Sequence, residues 1–191
     1  TKAGFRIEAG QTLSIEGTSK VNIEGEPRDG GIHLTDLTAT YTKAETATVN
    51  ATVNEPKVAK VGKNTYRTLA LAVDAVEDGG TITLIANETF TKNNRYNNGG
   101  YWDGLAYSGD KSFTIDLGGH TIKQDGSLND YLMWIKNDGA KANTITLKNG
   151  TIDAGTAAFC AICTSSSQAN ELTINTEDIN IINNICIILI L

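Results

Sequence analysis

The sequence predicts an all-β protein built as a parallel β-solenoid, with one short helix near residues 65–78 over its open end. Three observations predict it. Thr, Asn, Ile and Gly are frequent while Pro numbers 2 and Met 1, the composition of short strands joined by tight turns. An I-x-L-x-x-x-x-I template recurs at near-constant spacing. A second family of alternating strands lies between its copies. A unit this short cannot bury its apolar face alone, and stacking units in parallel makes one continuous core. An antiparallel sandwich also has many short strands, but it does not require one template at fixed intervals.

Residues 1–56 form a β-rich segment, with apolar and polar residues alternating between glycine turns in "FRIEAGQTLSIEGTSKVNIEG", "GIHLTDLTATY" and "TATVNATV". They precede the helix, so they are either the tail of a preceding module or a small separate unit. The boundary falls at Glu55-Pro56, and 57–191 form the main stack. In "NTYRTLALAVDAVEDGG", 64–80, Thr65 is the expected N-cap. Leu69, Ala72, Val73 and Val76 follow at helical spacing, and Gly79-Gly80 closes the end. "TITLIA" at 81–86 is the first rung, with Ile82 and Leu84 expected beside Ile115 and Leu117.

The next rungs follow from the template. Ile115, Leu117 and Ile122 map onto Ile145, Leu147 and Ile152, and those onto Leu172, Ile174 and Ile179. In the second family, Tyr131, Met133 and Ile135 fall beside Phe159, Ala161 and Cys163. Cys160 and Cys163 stand in a strand context, where residues three apart face opposite ways, so they read as buried, inert thiols. No cofactor is expected. His33 and His120 lack neighbouring ligands in sequence and read as structural, so no metal site is expected either.

The chain closes on seven apolar residues, 185–191. A bilayer span needs about 20, so no membrane span is expected. Ile185 and Ile187 fall where the strand after Ala161 and Cys163 is due, but "ILIL" lacks the alternation and turn of a rung. The expectation is a solenoid cut off mid-rung, whose unpaired edge invites self-association.

The stretch "TYRTLALAVDAVEDGGTITLIAN", with "FTIDLGGHTI" and "TITLKNGTIDAG", resembles the right-handed parallel β-helix proteins of the pectin-lyase-like superfamily. Tyr66, Thr68, Leu69, Ala72 and Val73 match the entry helix of that family. Gly80, Thr81, Ile82, Thr83 and Leu84 match the strand after it. The resemblance covers about 57–182. It implies a right-handed β-helix from a secreted or cell-surface bacterial protein. It does not imply one activity, because the superfamily hosts lyases, hydrolases, epimerases, phage spikes and adhesins.

Lyases of this fold use clustered Asp/Glu for calcium and an Arg or Lys base, and the hydrolases use close carboxylates. No such motif transfers residue by residue. None of Arg6, Arg28, Arg67 and Arg95 falls in a strand of the main stack, and Asp116 and Asp153 stand singly. No catalytic residue is assigned. The net charge of −6 and the absence of a basic stripe argue against nucleic acid.

The candidate site is 91–111, "TKNNRYNNGGYWDGLAYSGDK", read as a long loop without regular structure. It gathers Arg95, Tyr96, Tyr101, Trp102, Asp103 and Tyr107 among Asn and Gly. Aromatic faces beside amides and carboxylates suit a sugar ring; the same aromatics could instead pack on the cap or a rung. Two functions follow. One is a non-catalytic adhesin-like or stalk-like module contacting a glycan or host surface protein through this segment. The other is the N-terminal fragment of a polysaccharide lyase or glycoside hydrolase whose active rungs lie beyond residue 191.

Overall fold

The structure is a computed structural model. It describes residues 4–8, 10–22, 31–35, 39–51, 53–91, 94–156, 158–166, 171–182 and 187–190. The chain divides into two compact units, Thr1–Pro56 and Lys57–Leu191.

Among its described residues the first unit holds seven short strands: β1 (Gly4–Ile7), β2 (Thr12–Ile15), β3 (Lys20–Asn22), β4 (Gly31–Leu34), β5 (Thr40–Lys43), β6 (Thr48–Asn50) and β7 (Val53–Asn54). All pair in parallel: β1 with β4, β4 with β7, β2 with β5, and β3 with β6. The segment is therefore itself a set of stacked coils. Ile7, Ile32, Leu34 and Ala39 make a small core of their own. His33 points away from Ile32 and Leu34, which are buried.

The second unit opens with β8 (Ala59–Val61), β9 (Asn64–Tyr66) and α1 (Leu69–Ala75). The first coil holds β10 (Gly80–Leu84), β11 (Glu88–Phe90), β12 (Tyr96–Asn98), β13 (Tyr101–Asp103) and β14 (Leu105–Ser108). Then come β15 (Phe113–Asp116), β16 (Thr121–Gln124) and β17 (Tyr131–Asn137). They are followed by β18 (Asn143–Asp153), β19 (Cys160–Ser166), β20 (Leu172–Ile182) and β21 (Ile187–Ile190). Strands β10, β15, β18 and β20 stack in parallel, as do β14, β17, β19 and β21. This is a parallel β-solenoid.

The inward rows explain why. Ile82 lies on Ile115 and Ile115 on Leu147, all fully buried, and the Ile82–Ile115 register is the one the sequence predicts. Each such isoleucine contributes roughly 2–3 kcal/mol by leaving water.

The other registers differ from the sequence template. Phe113, not Ile115, lies beside Ile145, yet Ile122 does lie beside Ile152. The turn Leu117–His120 is two residues longer than its neighbour and absorbs the offset. Between β18 and β20, Ile145 lies beside Ile174, Leu147 beside Thr176 and Ile152 beside Ile181. Tyr131 lies beside Cys160 and Met133 beside Ile162, one residue from the expected alignment. The stacked turn keeps its backbone while its sequence changes. Asn149 (φ 60°), next to Gly119 one coil below, and Asp178 (φ 52°), one coil above Asn149, both take the left-handed conformation. Gly150 is needed there because a Cβ would stand 2.5 Å from both His120 O and Leu117 Cβ.

The cap also differs. Asn64–Tyr66 is a strand, so the helix starts at Leu69 and its N-cap is Thr68 rather than Thr65, with the Thr68 side chain accepting from Leu71 N–H. A β8–β9 hairpin takes residues 59–66, and β8 closes the free edge of β10 by antiparallel pairing. Leu69, Ala72, Val73 and Val76 are buried as predicted. Cys160 and Cys163 are buried.

The last strand is Ile187–Ile190, paired in parallel with β19 from Ile162↔Ile187 to Ser165↔Ile190. The strand therefore includes Ile187, one residue from its expected place beside Cys163, and runs on through 188–190, part of the "ILIL" expected to fail as a rung; Ile185, Cys186 and Leu191 lie outside the described residues. No helix among the described residues is long and apolar enough to cross a membrane.

Candidate functional site

The segment 91–111 is not a loop without regular structure. Asn94 builds its entry. Its side-chain oxygen accepts from Thr91 N–H at 2.6 Å, and its amide nitrogen donates to Thr89 O and to Glu88 Oε1, each at 3.0 Å. Strands β12 and β13 then pair antiparallel from Tyr96↔Asp103 to Asn98↔Tyr101. Their two-residue connection is Gly99 (φ 62°) and Gly100 (φ 102°). Both central residues have positive φ, the backbone that matches the twist of a hairpin and that glycine adopts most cheaply. The signal was present in "NNGGY".

The hairpin docks on the turn before β17. Trp102 N–H donates to Asn129 Oδ1 at 2.7 Å, and Asn129 N–H donates to Trp102 O at 3.3 Å. The Arg95 guanidinium lies 3.8 Å from the Trp102 ring centroid and donates to Ser127 O. Tyr96, 47% exposed, stacks on Trp134 with ring centroids 6.4 Å apart and planes at 21°. Trp134 stands on the outer row of β17, beside the small Ala106 of β14. Sequence reading missed it, although the alternation of "YLMWIK" places it opposite inward Met133 and Ile135. Next along the stack, the Tyr131 and Phe159 rings meet edge-to-face at 6.3 Å, with Phe159 66% exposed.

The six sequence candidates separate into groups. Arg95 pairs with Trp102 and Tyr96 with Trp134, two separate contacts, because the register Tyr96↔Asp103 and Asn97↔Trp102 sets Tyr96 and Trp102 on opposite faces of the hairpin. The side chain of Tyr101 lies outside what the structure describes. Tyr107 is an interior residue: it packs edge-to-face on Phe113 at 5.0 Å, and its hydroxyl accepts from Lys111 N–H at 2.8 Å. Asp103 is fully buried, and its Oδ1 accepts from Tyr131 N–H at 3.1 Å. Burial raises its pKa to about 6; the Tyr131 N–H opposes that shift and the charge of Asp130 adds to it. Arg95 Nε, Asp103 Oδ2 and Ser127 Oγ are buried without a hydrogen-bond partner among the described residues. The contact between hairpin and turn thus leaves polar groups unsatisfied beside exposed aromatic rings.

Among the described residues no three His, Cys, Asp or Glu side chains gather as a metal site. Asp116 is engaged structurally. Its Oδ1 accepts from Gly118 N–H and Asn149 Nδ2, each at 3.0 Å, and Lys148 Nζ lies 3.8 Å from its Oδ2. No family model, curated protein or solved structure matches the chain.

Proposed function

We propose that this chain is a non-catalytic, pectin-lyase-like β-helix module of a larger secreted or cell-surface bacterial protein. It acts as a stalk or adhesin that contacts glycans or host surface proteins through the β12–β13 hairpin. The observation that carries this reading is the two aromatic pairs at the hairpin, Tyr96 on Trp134 and Arg95 on Trp102, outside the stacked core. Rings of this kind pack on the apolar face of a sugar, and adjoining polar groups take its hydroxyls. The solenoid supplies a rigid support, and loops on rigid scaffolds are where binding residues concentrate.

The test is a glycan array probed with the wild type, Trp102→Ala and Tyr96→Ala. Loss of at least tenfold in affinity for a bound glycan, with an unchanged circular dichroism spectrum, is the expected outcome. Binding that is unaltered in both folded variants would remove the hairpin from the site.

A further inference from the structure

We propose that the glycan contact continues from the hairpin across the outer face of β17 to a second aromatic platform, Tyr131 with Phe159, and that the ligand is an uncharged glycan chain of at least two linked sugars. Resting on the reading of the hairpin as a glycan contact, the second platform sets the length and the charge of what is bound.

A break in β17 makes the platform. Alternation sets Trp134 outward and Met133 and Ile135 inward, and would turn Tyr131 inward with them. Instead Leu132 and Met133 are both fully buried, and Tyr131 and Trp134 on either side of them are both half-buried. The Tyr131 hydroxyl lies against the side chain of Cys163, the residue beside Trp134 on the next coil. Tyr131 therefore shares the outer face with Trp134, and Cys163 is fully buried although it stands on that outer row.

Each of these rings carries another. Tyr96 stacks on Trp134 at 6.4 Å, and Phe159 meets Tyr131 edge-to-face at 6.3 Å. Phe159 is 66% exposed, the most of any large apolar side chain among the described residues, yet its backbone is fixed, its N–H donating to Asp130 O at 2.5 Å. Tyr131 and Trp134 stand three residues apart, roughly 10 Å at the rise of a strand. That span is too long for one sugar ring and suits two linked ones.

The polar groups around the rings select the class of chain. The Asp130 carboxylate has no hydrogen-bond partner among the described residues, so it can accept from a sugar hydroxyl. Lys136, the next outward residue of β17, is occupied by Asp138 at 3.7 Å. Arg95 lies with Trp102 on the other face of the hairpin. The described outer row of β17 thus offers a polyanion no unpaired cation, and the chain's net charge of −6 repels one.

Calorimetric titration of the whole chain tests this with neutral β-1,4-linked gluco-, manno- and xylo-oligosaccharides of one to about six units, and with oligogalacturonates of the same lengths as the acidic comparison. Affinity is expected to rise with length beyond one sugar in a neutral series and to be weaker in the acidic one. Phe159→Ala is expected to lose roughly two- to tenfold on the longer members, the worth of one aromatic contact, and nothing on the shortest member bound. Tyr96→Ala is expected to weaken every length alike. Should Phe159→Ala not fold, the wild-type Phe159 ring resonances decide by NMR, shifting with members of two units or more and not with one. Affinity that stops growing at one sugar, a length dependence intact in Phe159→Ala, unmoved Phe159 resonances or a preference for oligogalacturonate would each overturn this proposal and leave the hairpin contact standing. No binding in any series overturns it too, and an empty glycan array besides removes the hairpin contact with it. A wild-type dimer that Phe159→Ala dissolves, without sugar binding, would give the face to a second copy of the chain instead.

Discussion

Asp103 closes β13 with one carboxylate oxygen on Tyr131 N–H and the other without a partner among the described residues. Its folded pKa of about 6 lies above the ordinary 3.8. The ionised form is thus the disfavoured one, and stability drains away as pH rises between those values. Asp103→Asn keeps an oxygen for Tyr131 N–H and carries no charge. It is expected to raise stability at about pH 7.5 by roughly 1–2 kcal/mol while changing it little at about pH 4. Urea denaturation at both values checks this, and a loss of stability at the higher pH would contradict it. At this scale the sequence is legible where one residue has one conformational reason. The sequence template aligns Gly118-Gly119 with Lys148-Asn149 and Asn175-Thr176 as turn residues; Asn149 does take positive φ, but Asn175 and Thr176 lie within β20, where Asp178 takes it instead. The buried position of Asp103 was not legible. A carboxylate among Asn, Gly and Tyr looks like a surface residue until Tyr131, 28 positions away, supplies its partner.

At the scale of elements, the cap is fixed from both ends by the coil beneath it. Glu88 meets the first N–H of α1, and Lys111 Nζ meets the carbonyls of Val73, Asp74 and Val76 at 3.3, 3.4 and 2.8 Å. An acceptor at the start and a cation at the end both complement the helix dipole and its orphan groups. Lys111→Met keeps the aliphatic stem and removes the donor. It is expected to cost about 1–2 kcal/mol, seen as faster amide exchange confined to the last turn of α1; unchanged exchange there would assign the Lys111 contacts no role in holding the helix. The strands were legible as elements because alternation is local. Their registers were not, because each register depends on how many residues a turn absorbs. The turn at 117–120 is the case in point: it displaces Ile115 from Ile145 but returns Ile122 to Ile152. The β12–β13 hairpin was hidden differently. Its strands are 3 residues each and polar, so no periodicity marked them, and only Gly99-Gly100 announced the turn.

Across the second unit, the solenoid makes stability a local sum of rung and interface contributions. The inward residues of β15 and β18 have a rung on either side, and those of β10 a rung on one side and the β8 hairpin on the other. Those of β20 pair only with β18 among the described residues, and its side chains range from half-buried to exposed. The same residue type therefore counts differently along one row. Ile115 is fully buried, and Ile115→Ala is expected to cost about 3–4 kcal/mol through lost transfer and a persistent cavity. Ile174, half-buried in β20, is expected to cost about 1–2 kcal/mol on the same change. Amide exchange should show the same gradient, slowest in β15 and β18 and fastest in β20. The repeat alone implies equal rungs, so equal losses for the two isoleucines would mean that β20 is covered in solution by a further layer, such as the edge of a second copy of the chain.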